Sequence, residues 1–411
     1  MTKEAATDHP HTPVLLVLAS TYPRWPSDPE PAFVHELSKR LTDRFRVVAL
    51  VPHAPGAKRH ETMDGVEIVR YRYAPQRLQT LVNDGGIVSN LRQKKWKFLL
   101  VPSFVLGQVW AAWRLVREQR IDVVHAHWLL PQGLIAALMQ WLPGRRVPFV
   151  VTSHGADLYA LHGRLLDAMK RFVIGRAAAA TVVSRAMLGR LDAIGAGVAK
   201  ASVLSMGVDL AQRFAPDPSM LRSDRELLFV GRLVEKKGLR HLLDAMPVVL
   251  RAHPDARLVV AGFGPEERAL REQVCMLGLG HAVRFLGAVH QTDLPSLYRR
   301  AALFVAPFVR AESGDEEGLG LVLVEAIGCG CPIVVGNVAA MEEVFGAELP
   351  AAAVDARDAL ALAARIIAAL DNPEVSRESA ERLRAKVVER FDWERIADAY
   401  ARLLTRAGGA A

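Results

Sequence analysis

Short runs of β-branched and large apolar residues recur along this chain, each followed by a longer stretch of helical period. In the first half the runs are Val14–Ala19, Val47–Val51, Val123–His125, Val147–Thr152 and Ala180–Val183. The second half repeats the scheme with Leu227–Val230, Arg257–Ala261, Val283–Leu286, Leu303–Ala306 and Ile333–Val335. Strands that are apolar throughout bury both faces, so strands alternating with helices imply parallel sheets covered by helices on each side. Two such series imply an α/β protein of two doubly wound domains. The length agrees, because 411 residues exceed what a single hydrophobic core usually serves. In open parallel sheets ligands bind beyond the carboxyl ends of the strands, so a cleft between two facing domains is the expected site.

The seam is expected near Met206-Gly-Val-Asp209, ahead of the Pro-rich Phe214–Ser219. This gives a first domain over residues 1–206 and a second over 207–391. The remaining segment, 392–411, holds a helix from Asp392-Trp393 to Leu404 with Trp393, Ile396, Tyr400 and Leu403 at helical spacing. It is either ordinary core or a brace that crosses back to the first domain.

A hydrophobic fraction of 51% with 23% charged residues belongs to a globular chain, with only residues 1–12 and the Ala/Gly tail after Arg406 expected to be loose. Cys275, Cys329 and Cys331 are odd in number, and Cys329-Gly-Cys331 is too tightly spaced for an ordinary zinc site, so all three read as small reduced core residues. The first apolar run is too short for a secretory signal, and cytoplasmic residence is expected. Residues 1–205 hold 27 Lys/Arg against 15 Asp/Glu, a balance of +12, while residues 206–411 hold 25 against 29, a balance of −4. The basic half suits an anionic neighbour, a lipid surface or a phosphorylated acceptor, although solubility alone would also explain it. Leu91–Val101, continuing to Trp110 and Trp113, mixes Lys, Arg and Trp with large apolar residues. That mixture fits either a lipid interface or an amphipathic helix pair packed on the first core.

Two segments carry chemistry. In Phe229-Val-Gly-Arg-Leu-Val-Glu-Lys-Lys-Gly238 a buried strand ends at a glycine and presents Arg232, Lys236 and Lys237, the fixed cations a diphosphate requires. In Glu316-Glu-Gly-Leu-Gly-Leu-Val-Leu-Val-Glu325 two glutamates, Glu317 and Glu325, bracket a glycine-bearing turn and the start of an apolar helix. Free N–H groups and the helix dipole at such a turn favour a phosphate. The bland alternative is that Glu317 caps the helix and Glu325 pairs with an arginine.

Together these segments resemble glycosyltransferase family 4, whose pattern is a G-R-x-x-x-x-K-G loop followed by E-x7-E. The resemblance continues through Ala261-Gly-Phe-Gly-Pro265, Val283-Arg-Phe-Leu-Gly-Ala-Val289 and Glu325–Val335. In the first half Asp122-Val-Val-His-Ala-His-Trp128 and Val151-Thr-Ser-His-Gly-Ala-Asp157 are similar to the family's two histidine-bearing strand ends. It implies the GT-B architecture, two Rossmann-like domains facing across a cleft, and a retaining hexosyl transfer from a UDP- or GDP-sugar to a polysaccharide, lipid-linked or glycolipid acceptor. It also implies no metal and no cofactor beyond the nucleotide-sugar substrate. Arg232 and Lys237 would bind the diphosphate, with the backbone of Gly318, Leu319, Gly320 and Leu321. Glu325 would hold the ribose, with Gly262 and Val289 nearby. Glu317 and His154 would work at the donor sugar, and His127 and Asp157 would lie on the acceptor side.

Two departures from the family stand out. Tyr22–Phe33 lacks the Gly-Gly pair found after the first strand in many relatives, and Ala339-Ala340 replaces another such pair ahead of Glu343. Other classes fit less well. Gly262-Phe-Gly264 lacks the third glycine of a dinucleotide fingerprint, no P-loop sequence exists, and no nucleic-acid-binding module accompanies the sequence pI of about 9.6. A non-catalytic nucleotide-sugar binder, or an epimerase or phosphorylase of the same architecture, is the remaining alternative.

Overall fold

The computed structural model describes residues 12–26, 28, 32–82 and 86–409. The reading of the amino-terminal stretch as loose lies, up to residue 11, outside the described residues, as does part of that of the Tyr22–Phe33 loop. The first sheet contains β1 (Val14–Leu18), β2 (Arg46–Pro52), β3 (His60–Met63), β4 (Val66–Tyr71), β5 (Val123–His127), β6 (Phe149–Ser153), β7 (Ala179–Val182) and β8 (Ala201–Val203). Its order is β3-β4-β2-β1-β5-β6-β7-β8, parallel except for the antiparallel β3–β4 hairpin. The second sheet contains β9 (Glu226–Val230), β10 (Arg257–Ala261), β11 (Val283–Gly287), β12 (Leu303–Ala306), β13 (Ile333–Gly336) and β14 (Ala353–Val354), in the all-parallel order β11-β10-β9-β12-β13-β14.

All ten apolar runs form strands. Of the four further strands, β3, β8 and β14 are short, partly exposed edge elements, and β4 lies inside the sheet between β3 and β2 with buried and half-buried residues alternating along most of its length, so none of the four carries a continuous apolar run. In each sheet the first strand sits centrally. Val17 pairs with Ala49 on one side and His125 on the other, and β9 lies between β10 and β12. The loops leaving β1 and its neighbour β5, and those leaving β9 and its neighbour β12, therefore lead to opposite sides and open a crevice at the carboxyl ends of each sheet.

Side chains alternate through the first sheet. Leu16 and Leu18 share a core with Phe104, Ala112 and Leu115 of the helix Leu100–Glu118, while Leu15 and Val17 pack with Trp393, Tyr400 and Leu404 of the last helix, Trp393–Gly409. The final helix thus belongs to the first domain's core although it follows the second domain in sequence. It runs on to Gly409, through the tail expected to be loose. Its Tyr400 hydroxyl donates to the Leu204 carbonyl at 3.0 Å and lies 3.4 Å from Thr181 Oγ1.

The chain crosses between the domains at two adjacent places. Val208 N–H donates to the Phe391 carbonyl at 2.9 Å, and Trp393 lies against Gly207 so closely that a β-carbon there would meet the indole at 2.7 Å. Only glycine allows the two crossings to share this hinge. Cys329 and Cys331 are buried thiols as expected, whereas Cys275 stands exposed, because it projects from the outer side of the helix Glu267–Met276. Neither Ala339 nor Ala340 has a positive φ, so that turn needs no glycine.

Truncating Leu404 to alanine should remove a fully buried side chain from the brace and cost about 2–5 kcal/mol. Amide exchange should then quicken in β1 and β5 of the first domain while β9 and β10 of the second stay protected.

Candidate active site

The carboxyl end of β9 carries Arg232 and, after a single 3-10 turn Glu235–Lys237, Lys237. The loop entering the helix Leu321–Gly328 lies opposite them. Lys237 Nζ sits 2.6 Å from Glu317 Oε2 and over the Phe308 ring at 4.6 Å. Lys236 donates to Asp315 Oδ1 at 3.1 Å and the Glu316 carbonyl at 2.9 Å. Burial alone would raise the Glu317 carboxyl, but Lys237 and Lys236 beside it hold it at about 2. It is therefore ionised throughout the neutral range and ties the cation loop to the glycine turn.

Glu325 lies one turn inside the helix and is buried. Its Oε2 accepts the Tyr298 hydroxyl at 3.0 Å rather than an arginine, and burial pushes its carboxyl up to about 7. Arg232, Lys237, Gly262, Val289, Leu321 and Glu325 all line one cavity of about 280 Å³. Ala32, Phe33 and Glu36 of the first domain, and Gly207, Asp209, Arg213 and Trp393 at the hinge, close its other wall.

The facing wall is built by β5 and β6. His154, just beyond β6, is boxed by Phe33 at 4.9 Å and Trp128 at 5.1 Å between ring centroids. Its Nε2 lies 3.0 Å from His127 Nδ1, the two imidazoles stacked with 9° between their planes. Burial, and the neighbouring His125, push His154 down to about 3, and burial lowers His127 well below the ordinary imidazole range. Both are neutral at physiological pH, so His154 offers hydrogen bonds rather than a positive charge. Trp128 takes φ 77°, a conformation costing roughly 1–3 kcal/mol for a non-glycine residue.

A second cavity, of about 580 Å³, opens beside His154 between Ser20, Thr21, Arg92 and Trp128 on one side and Arg232 and Lys236 on the other. Two of the expected acceptor-side residues are placed differently from a direct contact. His127 is wholly buried one layer behind His154, because inward and outward side chains alternate along β5. Asp157 borders the cavity, yet its two oxygens accept the Leu129 N–H at 2.6 Å and the Ser153 hydroxyl at 2.9 Å. It fastens the two histidine loops together.

The walls meet at Gly155 and Gly318. A β-carbon on Gly155 would lie 3.2 Å from Gly318 Cα, and one on Gly318 would lie 2.9 Å from the His154 carbonyl. Gly318, Leu319 and Gly320 are all buried, Gly320 packing on Phe308, and Leu321 opens the helix. Sequence reasoning missed Phe33, Arg213, Tyr298 and the role of Trp128. Tyr298 sits in an amphipathic helix, where a tyrosine looks like any core residue. Trp128 was visible beside His127, but its backbone conformation was not.

Two parallel-sheet domains that face across a cleft, with cations and carboxylates on one wall and a neutral histidine on the other, define the GT-B class. Two family models match, Glycosyl transferases group 1 over residues 217–405 and Glycosyl transferase 4-like domain over residues 31–207. The glycogen synthase of Mycobacterium tuberculosis is 29% identical over 92% of this chain and 84% of its own length. The phosphatidyl-myo-inositol mannosyltransferase of Mycobacterium leprae is 31% identical over 69% of this chain and 72% of its own. Among solved structures, sucrose-phosphate synthase of Thermosynechococcus elongatus superposes with TM-score 0.78 at 20% identity, covering 97% of this chain and 100% of the other. Anabaena HepE in complex with UDP and glucose superposes with TM-score 0.72 at 18% identity, covering 95% and 99%. The chain belongs to the group 1, family 4 glycosyltransferases.

Gly318→Ala should hold the walls apart without unfolding either domain. A fall in transfer rate of about tenfold or more, with an unchanged melting temperature, is the expected result in a steady-state assay paired with thermal denaturation.

Proposed function

We propose that this glycosyltransferase moves a hexose, with retention of anomeric configuration and without a metal ion, from a UDP- or GDP-sugar to a polysaccharide, lipid-linked or glycolipid acceptor. The observation that carries the donor half is the convergence of Arg232, Lys237 and Glu325 on one cavity at the start of an apolar helix. Guanidinium, ammonium and helix N–H groups there bind a diphosphate and take up the charge that grows on it as the glycosidic bond breaks. Two side-chain cations meet that need without a divalent ion. Glu325 accepts the ribose hydroxyls, and Val289 with Gly262 flanks the base.

Glu317 fixes Lys237 by ion pairing and lies at the sugar end of the site. His154 faces it from the other domain as a neutral hydrogen-bonding group, suited to a sugar hydroxyl. The second cavity, between His154 and Arg232, receives the acceptor on the same face from which the nucleotide leaves. The names of the two relatives, one a glycogen synthase and one a lipid mannosyltransferase, support a glucosyl or mannosyl donor and a polymeric or lipid acceptor.

Glu317→Ala and His154→Ala should each lower transfer about 100-fold or more, whereas Lys237→Ala should chiefly raise the donor KM. A thermal-shift and calorimetric screen of UDP-, GDP- and ADP-sugars names the base. Stabilisation by one of them in the wild type, lost in Arg232→Ala, is the expected pattern. Full transfer by both Glu317→Ala and His154→Ala would overturn the assignment.

The lipid form of the acceptor is favoured by the surface of the first domain. Trp96, Phe98, Leu99, Leu106 and Trp110 are exposed, among the exposed cations Arg92, Lys94, Lys95, Arg114 and Arg117. The segment Lys95–Glu118 is apolar enough to cross a bilayer, but Phe104, Gln108, Ala112 and Leu115 face the sheet, and Gln108 donates to the Leu50 carbonyl at 3.3 Å. It lies along the domain, with its other face available to an anionic leaflet at the inner side of the membrane. The helix Gly86–Gln93, immediately before it, borders the acceptor cavity through Ile87, Val88 and Arg92. Vesicles containing phosphatidylglycerol should bind the protein at low salt and release it as salt rises, and replacing Trp96 and Trp110 by alanine should weaken binding about tenfold. Equal partition with neutral and anionic vesicles would refute the membrane role.

A further inference from the structure

Tyr298 is wholly buried in the helix Leu294–Arg300, its ring set edge-on to Phe304 at 5.4 Å and Phe214 at 6.2 Å. The ring is therefore packed on all sides, and its hydroxyl is directed at Glu325 Oε2 at 3.0 Å. We infer that Tyr298 is a positioning residue, holding the Glu325 carboxylate in the orientation that accepts both hydroxyls of a ribose and thereby setting a preference for ribonucleotides over deoxyribonucleotides. This role rests on the proposed assignment of Glu325 to the ribose of the donor.

A carboxyl group with so little exposure is driven toward its neutral form, and a neutral carboxyl carries a proton of its own where a diol needs acceptors. Burial raises Glu325 to about 7, against which the Tyr298 hydroxyl pulls downward. Burial also raises Tyr298 well above the usual phenol value, so the hydroxyl keeps its proton and acts as a donor. The other groups facing Glu325 are Gln291 on the loop before that helix, Arg213 at the hinge, Lys237 on the cation loop and Cys329 at the end of the helix Leu321–Gly328. Gln291 is a second neutral hydrogen-bond partner of the carboxylate, but it lines the cavity together with Arg213 and Lys237, whereas the phenol is the donor anchored in the buried core. A neutral donor steadies a carboxylate without adding a charge beside the ribose, leaving Arg232 and Lys237 as the cations for the diphosphate. The bond also orients the carboxylate, since one oxygen is tied to a ring packed in the core.

Tyr298→Phe deletes one oxygen and keeps the packed ring, so the fold is retained. Calorimetric titration of the full-length protein with UDP against 2′-deoxy-UDP, and with GDP against 2′-deoxy-GDP, measures the preference for whichever base binds. The wild type should favour the ribonucleotide by about tenfold or more, and Tyr298→Phe should narrow the ratio to about threefold or less. In the variant the pH at which nucleotide affinity declines on acidification should move upward, because Glu325 loses the bond that favours its charged form. With a saturating donor sugar, kcat should be unchanged while the donor KM rises, a split that general loosening of the core would not give. Glu325→Gln separates the positioning role from the ribose assignment. If Glu325→Gln collapses the ribose preference and Tyr298→Phe changes neither the ratio nor the pH midpoint, the positioning role is overturned while Glu325 keeps the ribose. If Glu325→Gln also leaves the preference intact, the ribose assignment fails and the role of Tyr298 falls with it.

Discussion

The backbone contact between Gly155 and Gly318 sets the geometry of the whole site. It brings the His154 loop of one domain against the Glu317 loop of the other with no side chain between them. A histidine with its aromatic box and a pair of cations with their carboxylates can share a reaction centre only if the two walls approach this closely. The hinge follows the same logic, since Gly207 lets Trp393 lie on the linker and lets the two crossings between domains run side by side. Small residues at the points of closest approach let two separately folded sheets act as one cleft.

Within the cleft the charged side chains are already held in place by their neighbours. Lys237 is already oriented by Glu317 and Phe308, and Lys236 is tied to Asp315 and the Glu316 carbonyl. Across from them His154 is neutral and held by His127, so the facing wall offers hydrogen bonds without adding a positive charge. Fixed dipoles and charges of this kind are effective because they stand in a partly dehydrated space before the reaction begins. Asp157 has a supporting part, binding the β5 and β6 loops to each other so that the imidazole pair keeps its register.

The last helix, Trp393–Gly409, links fold and function through its position. By filling the core beneath β1 and β5 it stabilises the first domain with residues that follow the second, and its Trp393 also borders the cavity that holds Arg232, Lys237 and Glu325. The integrity of the first sheet, the hinge and one wall of the cavity therefore depend on a single amphipathic element. The opposite side of that sheet is covered by the helix Leu100–Glu118, whose outward face stays apolar and basic, so the first domain has one face given to its own chain and another available to a surface.

Much of this was legible in the chain before folding. Ten apolar runs mark ten strands, because a central strand in a parallel sheet must be apolar on both faces, and Arg232, Lys237, Glu317 and Glu325 stood out because cations and carboxylates rarely follow buried strands and glycine turns without a purpose. The strands β3, β4, β8 and β14 were illegible because a partly exposed strand carries no continuous apolar signature. The placement of His127 behind His154, the use of Asp157 as a fastener, the Tyr298 bond to Glu325 and the strained backbone of Trp128 were decided only by tertiary structure. Each depends on which residues distant in sequence become neighbours, and local periodicity holds no record of such pairings. The sequence by itself determined two doubly wound sheets and the chemical groups at their strand ends; packing decided which of those groups face the cleft and which hold the others in place.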